Sequence, residues 1–151
     1  MSSSSPTSTL NVDVQPGKPP MLRFDATDDA PRWAAEHRDA LRAAVVQHGS
    51  LLVRGLGLRD VAGTEAVFRQ LGSLMTEREA FAPRRRYSDS VYSSSKWPPN
   101  QHMCMHHELS YRLEFPSLML FACLIAPADD DPNVSQPVTT ELFSTGVRRS
   151  S

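Results

Sequence analysis

A histidine and a glutamate stand two positions apart near the middle of the chain, in the sequence His106-His107-Glu108. The surrounding residues 103–111 are predicted to form a strand, on which side chains at positions i and i+2 point to the same side. The imidazole of His106 and the carboxylate of Glu108 would then converge on one point. They are two of the three ligands of a 2-His-1-carboxylate site, which leaves positions on Fe(II) open.

The spacing is weak evidence when it stands alone. Five histidines and 17 acidic residues among 151 give about 0.6 His-x-acid pairs by chance. A second such pair, His37 and Asp39, lies in a segment with helical periodicity. Side chains at i and i+2 of a helix point about 200° apart, so this pair cannot hold one ion. The alternative interpretation of His106 and Glu108 is a polar pair on a half-exposed strand.

Two neighbours of the pair share its strand face. Cys104 could make a Cys-x-His-x-Glu row that suits Zn(II), but a structural zinc site normally has four protein ligands. We therefore favour Cys104 as a small residue that fills the strand face. His102 lies four positions from His106, about 13 Å at strand rise, which is too far to share one ion. His107 points to the opposite face and is expected to pack or lie at the surface.

Other polar runs are weaker candidates. The basic run at residues 84–86 could bind an anionic substrate or carrier, although a solvated charge run is the favoured interpretation. Residues 93–96, three serines and a lysine, precede the metal-motif strand and could line a pocket. The acidic run 129–131 is typical of a solvated turn. Cys104 and Cys123 are too few for a disulfide framework and are expected to be reduced thiols.

The element pattern indicates an α+β chain. Residues 1–20 are rich in Ser and Pro and predict a disordered tail. Asp29 and Gly49 bracket a helix whose apolar face has helical spacing, and residues 50–54 predict a short strand. A second helix is predicted to begin with Thr64 as N-cap. Its apolar stripe is formed by Val67, Leu71 and Leu74.

Residues 76–101 are predicted to form a long polar loop with one strand at 90–94. Strands are then predicted at 103–111 and 118–125, and the polar segment 128–151 is expected to pack poorly.

Composition indicates one globular domain, with 40% apolar and 22% charged residues. A net charge of −1 gives no bias towards nucleic acid or anionic membranes. We expect no transmembrane helix and no signal peptide, and hence a cytoplasmic protein.

Several ordered segments resemble the TauD/TfdA-like dioxygenases, in particular the branch with Glu as the acidic metal ligand. The resemblance covers roughly residues 22–127, and its segments are residues 49–55, 87–101, 106–111 and 114–121. It implies an Fe(II)- and 2-oxoglutarate-dependent oxidoreductase that hydroxylates an unactivated C–H bond of a small molecule, with release of succinate and CO2. It also implies that His106 and Glu108 are the first two iron ligands. The implied fold is α+β, a partial double-stranded β-helix (jelly roll) with N-terminal helices.

The sequence departs from the family pattern after Pro127. No histidine follows His107 to act as the third ligand, and Ala128-Asp129-Asp130-Asp131 stands where the family has a Gly-Gly-x-Thr turn. No downstream Arg matches the one that binds the distal carboxylate of 2-oxoglutarate. We therefore expect residues 21–127 to be the N-terminal part of a truncated family domain. The expected substrate is a small molecule, either amino-acid-like or a natural-product intermediate. The chain is also expected to self-associate through exposed strand edges. The alternative is a catalytically inactive remnant or interaction module of the same fold.

Overall fold

The chain forms two compact units, Met1–Leu58 and Arg59–Ser151, in a computed structural model. The structure describes residues 10–25, 29–75, 84–93, 100–102, 104, 111, 113, 116–124 and the backbone of 139–145. Two helices and five strands occur in this part of the chain, so the expected α+β class is confirmed. The described strands form a two-stranded and a three-stranded sheet. They do not by themselves make the expected double-stranded β-helix.

The first unit contains a β-α-β arrangement. Strand β1 (Met21–Arg23) pairs in parallel with β2 (Leu52–Arg54), and helix α1 (Ala30–His48) lies between them in sequence. Parallel strands need a long crossover, which the helix supplies. The predicted strand 50–54 is thus confirmed over its last three residues. No described helix is long and apolar enough to cross a membrane.

Local signals define both ends of α1. The carboxylate of Asp29 accepts a hydrogen bond from the backbone N–H of Arg32 at 3.0 Å, which satisfies one of the first free donors of the helix. Gly49 ends the helix at φ 81°, and its N–H donates to the carbonyl of Val45 at 2.7 Å. The buried face of α1 consists of Ala30, Trp33, Ala34, Leu41 and Ala44. The predicted helix between Asp29 and Gly49 is confirmed.

The turn after β2 requires glycine. Gly55 has a φ of +93°, and a Cβ at this position would lie 1.7 Å from the carbonyl oxygen of Phe24. The N–H of Phe24 donates to the carbonyl of Arg54 at 2.8 Å, which continues the β1–β2 pairing by one residue. The backbones therefore approach too closely for any side chain, and this contact fixes the chain at the ends of both strands.

A short turn precedes β1. Asp13 and Met21 exchange two backbone hydrogen bonds of 2.8 and 2.9 Å across it, and Gly17 adopts a φ of 72° within it. Asp13, one side of this bridge, lies inside residues 1–20, for which the sequence predicts a disordered tail. The division into 1–20, 21–127 and 128–151 stays a prediction.

The second unit begins with helix α2 (Val61–Leu71), and its start corrects the sequence prediction. Asp60 is the N-cap, because its carboxylate accepts from the N–H of Gly63 at 2.7 Å. Thr64 is a fully buried residue of the first helical turns, and its hydroxyl donates to the carbonyl of Asp60 at 2.8 Å. Gly63 lies inside the helix. Leu74 lies beyond the end of the helix, so it is not part of the α2 stripe.

A three-stranded sheet with the order β3-β5-β4 completes the second unit. Strands β3 (Tyr92–Ser93) and β4 (Pro116–Cys123) each pair antiparallel with β5 (Thr139–Thr145). Strand β3 confirms a strand within 90–94, and β4 begins and ends two residues before the predicted 118–125. Strand β5 lies inside 128–151, where the sequence predicted poor packing. The predicted strand at 103–111 falls largely outside the described residues.

We predict that Gly55→Ala destabilises the protein by more than about 1–3 kcal/mol, the range for a strained backbone conformation. The added Cβ meets a backbone carbonyl that cannot rotate away, so the ends of β1 and β2 must separate. Thermal and urea unfolding measure the loss. Gly49→Ala is the matched control, because it also has positive φ but no atom within 4 Å of an added Cβ. Equal losses in the two variants would contradict the role of the close approach.

We predict that Asp60→Ala lowers the free energy of unfolding by about 1 kcal/mol, since it removes the N-cap of α2. If Thr64 were instead the N-cap of a shorter helix, Asp60→Ala would leave the free energy of unfolding nearly unchanged, and the loss of the cap would fall on Thr64→Ala. Urea unfolding followed by circular dichroism measures both variants. Asp60→Asn serves as the control, because an amide oxygen can still accept the hydrogen bond from Gly63.

Candidate functional site

The residues that the sequence assigns to a metal, His106 and Glu108, lie outside the described part of the structure. The strands on either side of them are described. Register aligns Ser93 with Thr140 and Thr140 with Ala122, so β3 ends level with the carboxyl-terminal part of β4, with β5 between them. The start of β4 lies six residues back along that strand, about 20 Å at strand rise. The connection that carries the motif is therefore fixed at both ends to the same strand, β5.

The nearest described neighbours of the motif face solvent. His102 and Cys104, before the motif, are both exposed, as are Tyr111 and Leu113 after it. Among the described residues, no group of three or more His, Cys, Asp or Glu side chains could hold a metal ion. The alternative zinc row of Cys104, His106 and Glu108 stays a prediction, because His106 and Glu108 lie outside the described residues. His107 lies outside the described residues.

The second His-x-acid pair of the sequence is not a metal site. His37 lies in α1, where its Nδ1 is 2.9 Å from the carbonyl oxygen of Trp33 and its ring stacks on the Trp33 ring at 4.8 Å. Asp39 is exposed, and its carboxylate lies 3.5 Å from Nε of Arg38. The two side chains serve different contacts, so the exclusion of this pair is confirmed.

The basic run at residues 84–86 leads into a hairpin closed by β3. The carbonyl of Arg85 accepts from the N–H of Ser93 at 2.8 Å, and the N–H of Arg85 donates to the Ser93 hydroxyl at 2.9 Å. The Arg86 guanidinium donates to Asp89 and, at 3.0 Å, to the carbonyl of Ser88. The Arg85 guanidinium lies 5.3 Å from the centre of the Tyr87 ring. Arg85 and Arg86 are exposed and have partners within the hairpin, whereas Arg84 is half-buried, so the interpretation as a solvated charge run fits two of the three positions.

Strand pairing also brings together two arginines that the sequence analysis did not connect. Arg23 ends β1, Arg54 ends β2, and the two are direct partners in the parallel register. Thirty positions separate them in sequence, so no local pattern reveals the pair. The only available signal was the Arg54-Gly55 turn, whose partner strand could not be identified without the fold.

Comparison with known protein families places the chain with dioxygenase-type oxidoreductases. The family model "Taurine catabolism dioxygenase TauD, TfdA family" matches residues 13–131, which is most of the chain and includes His106 and Glu108. The chain therefore belongs to the TauD/TfdA family. No curated protein sequence matches it. The match includes β4 and ends before β5, so the family assignment does not rest on β5.

We predict that Zn(II) leaves the thiol reactivity of the chain unchanged. Cys104 and Cys123 are both exposed, so both should react with a thiol reagent in the folded protein. In Cys123→Ser the remaining signal reports Cys104 alone, and its rate should be the same with and without one equivalent of Zn(II). Protection of Cys104 by the metal, absent in Cys104→Ser, would instead favour the Cys-His-Glu zinc site.

Proposed function

We propose that this chain carries the iron-binding motif of an Fe(II)- and 2-oxoglutarate-dependent dioxygenase that hydroxylates an unactivated C–H bond of a small molecule. The supporting observation is that the family match spans both candidate ligands, His106 and Glu108. The proposed fold of the complete domain is a double-stranded β-helix, of which the β3-β5-β4 sheet would be one part. The proposed location is the cytoplasm, without nucleic acid or membrane partners.

The donor set fits Fe(II). A neutral imidazole and a carboxylate are two ligands of the 2-His-1-carboxylate arrangement, which binds iron on one face and leaves the other face open. When bound, Fe(II) would supply the activation of O2, which is the oxidant of the hydroxylation, and 2-oxoglutarate would be the co-substrate that is oxidised to succinate and CO2. The residues of this chain hold and orient the metal, and the protein excludes water around it. His106 and Glu108 are assigned these roles because the motif spacing matches the family.

The alternative function is non-catalytic, as an inactive remnant or an interaction module of the same fold. Residues 108–151 contain no histidine that could serve as the third ligand. Two ligands bind a metal far less tightly than three. A His from a second copy of the chain could complete the site, which would make self-association part of the activity.

Anaerobic Fe(II) titration with and without 2-oxoglutarate tests the proposal. We predict a metal-to-ligand charge-transfer band that requires both components. His106→Ala and Glu108→Ala should weaken iron binding by more than about 10–100-fold, the range for loss of a supporting residue outside the ligand set. His102→Ala is the matched control, because this exposed histidine lies close in sequence and is not a proposed ligand.

The opposite result is equally specific. If no band forms, and if weak iron binding is the same in the parent chain, His106→Ala and His102→Ala, the inactive alternative is correct for this chain. Sedimentation of the iron-loaded sample tests whether a second copy of the chain completes the site. A charge-transfer band that appears only when the chain is dimeric indicates that it does.

A further inference from the structure

Arg23 and Arg54 lie side by side on the outer face of the β1–β2 pair. They are direct partners in the parallel register, so their Cα atoms are about 4.8 Å apart. Side chains alternate between the two faces of a strand. Leu22, the neighbour of Arg23, is buried, whereas Arg23 and Arg54 are both exposed. The two guanidinium groups therefore extend into solvent from the same face.

No carboxylate of the described residues neutralises this pair. Four other arginines of the described segments form ion pairs, namely Arg32 with Glu36, Arg38 with Asp39, Arg69 with Glu65 and Arg86 with Asp89. Neither Arg23 nor Arg54 has such a contact within those segments. Like charges directly opposite each other on neighbouring strands are destabilising. Within the described part of the chain the two charges therefore repel each other without a compensating ion pair, and a bound anion would relieve that repulsion.

The backbone holds the two arginines together. The hydrogen bond from the N–H of Phe24 to the carbonyl of Arg54 closes the pairing immediately after Arg23. The close approach of Gly55 to the Phe24 carbonyl fixes the same end of the sheet. Because the backbone holds the two Cα atoms one strand spacing apart, both guanidinium groups can reach one ligand without a backbone change, which limits the conformational cost of binding to the side chains.

We propose that Arg23 and Arg54 form a binding site for a phosphate dianion, either inorganic phosphate or a phosphate monoester. The planar guanidinium presents a fork of N–H donors that matches phosphate oxygens, and two forks can bind different oxygens of one group. A phosphate monoester carries about −1.5 to −2 charges near neutral pH, which balances two arginines. A single carboxylate or a phosphodiester would leave one positive charge unbalanced. This site is additional to the metal motif and does not depend on it.

Calorimetric titration of the full chain with inorganic phosphate, methyl phosphate and dimethyl phosphate at constant ionic strength tests the site. We expect saturable binding of one equivalent of inorganic phosphate and of methyl phosphate, and at least about tenfold weaker binding of the dimethyl diester. Arg23→Gln and Arg54→Gln should each weaken phosphate binding by about tenfold or more, as for the loss of hydrogen bonds to a charged group. Arg23→Lys should recover only part of the affinity, since it keeps the charge without the fork.

Arg32→Gln is the matched control. It removes the same charge from the same unit, but Arg32 is already bound to Glu36 at 3.0 Å, so phosphate affinity should stay within about twofold of the parent chain. Equal losses in Arg32→Gln and Arg23→Gln would show a response to net charge alone and would overturn the proposal. Absence of saturable phosphate binding by the folded parent chain, or equal affinity for the diester, would also overturn it.

Circular dichroism of each variant confirms that the fold is retained. The substituted positions are exposed, and removal of a like-charge repulsion should leave the melting temperature unchanged or raise it. Phosphate should in turn raise the melting temperature of the parent chain and have a smaller effect on Arg54→Gln, because a ligand that binds only the folded state stabilises it.

Discussion

Strand β5 holds the sheet of the second unit together, because β3 and β4 each form their backbone hydrogen bonds with it. Seven pairs join β4 and β5, whereas β3 contributes only two. The segment with His106 and Glu108 connects β3 to β4, so the same strand fixes both of its ends. A change in the β5 register by one residue would reverse the faces of β4 and move the anchor of the metal-motif segment.

In the first unit, a close backbone contact holds the ends of β1 and β2 together, as β5 holds the sheet of the second unit. The turn at Gly55 brings the chain against the carbonyl of Phe24, at a distance that excludes any side chain. Beside this turn, the Phe24 ring lies 4.6 Å from that of Trp33, which in turn stacks on His37. The aromatic contacts connect the end of β1 to the buried face of α1. The parallel pair is thereby coupled to the helix that makes its crossover possible.

Membership of the TauD/TfdA family and the proposed iron chemistry rest on different observations. The family follows from a match over residues 13–131. The proposed iron site rests on the residue types and spacing of His106 and Glu108 together with their position inside the matched range. The paired arginines of the first unit are a third, separate feature, because they are defined by strand register and charge and not by the family match.

The sequence by itself determined helix α1, its two ends and the exclusion of the His37 and Asp39 pair, because helix capping and helical spacing are local properties. It also indicated the family through the order of its motifs. It misplaced the start of α2, because Asp60 and Thr64 are both suitable N-caps and only packing makes Thr64 a buried residue. The tertiary structure alone decided that β5 lies between β3 and β4 and that Arg23 faces Arg54. Both depend on pairing between distant segments, which is set by register and burial rather than by any local pattern.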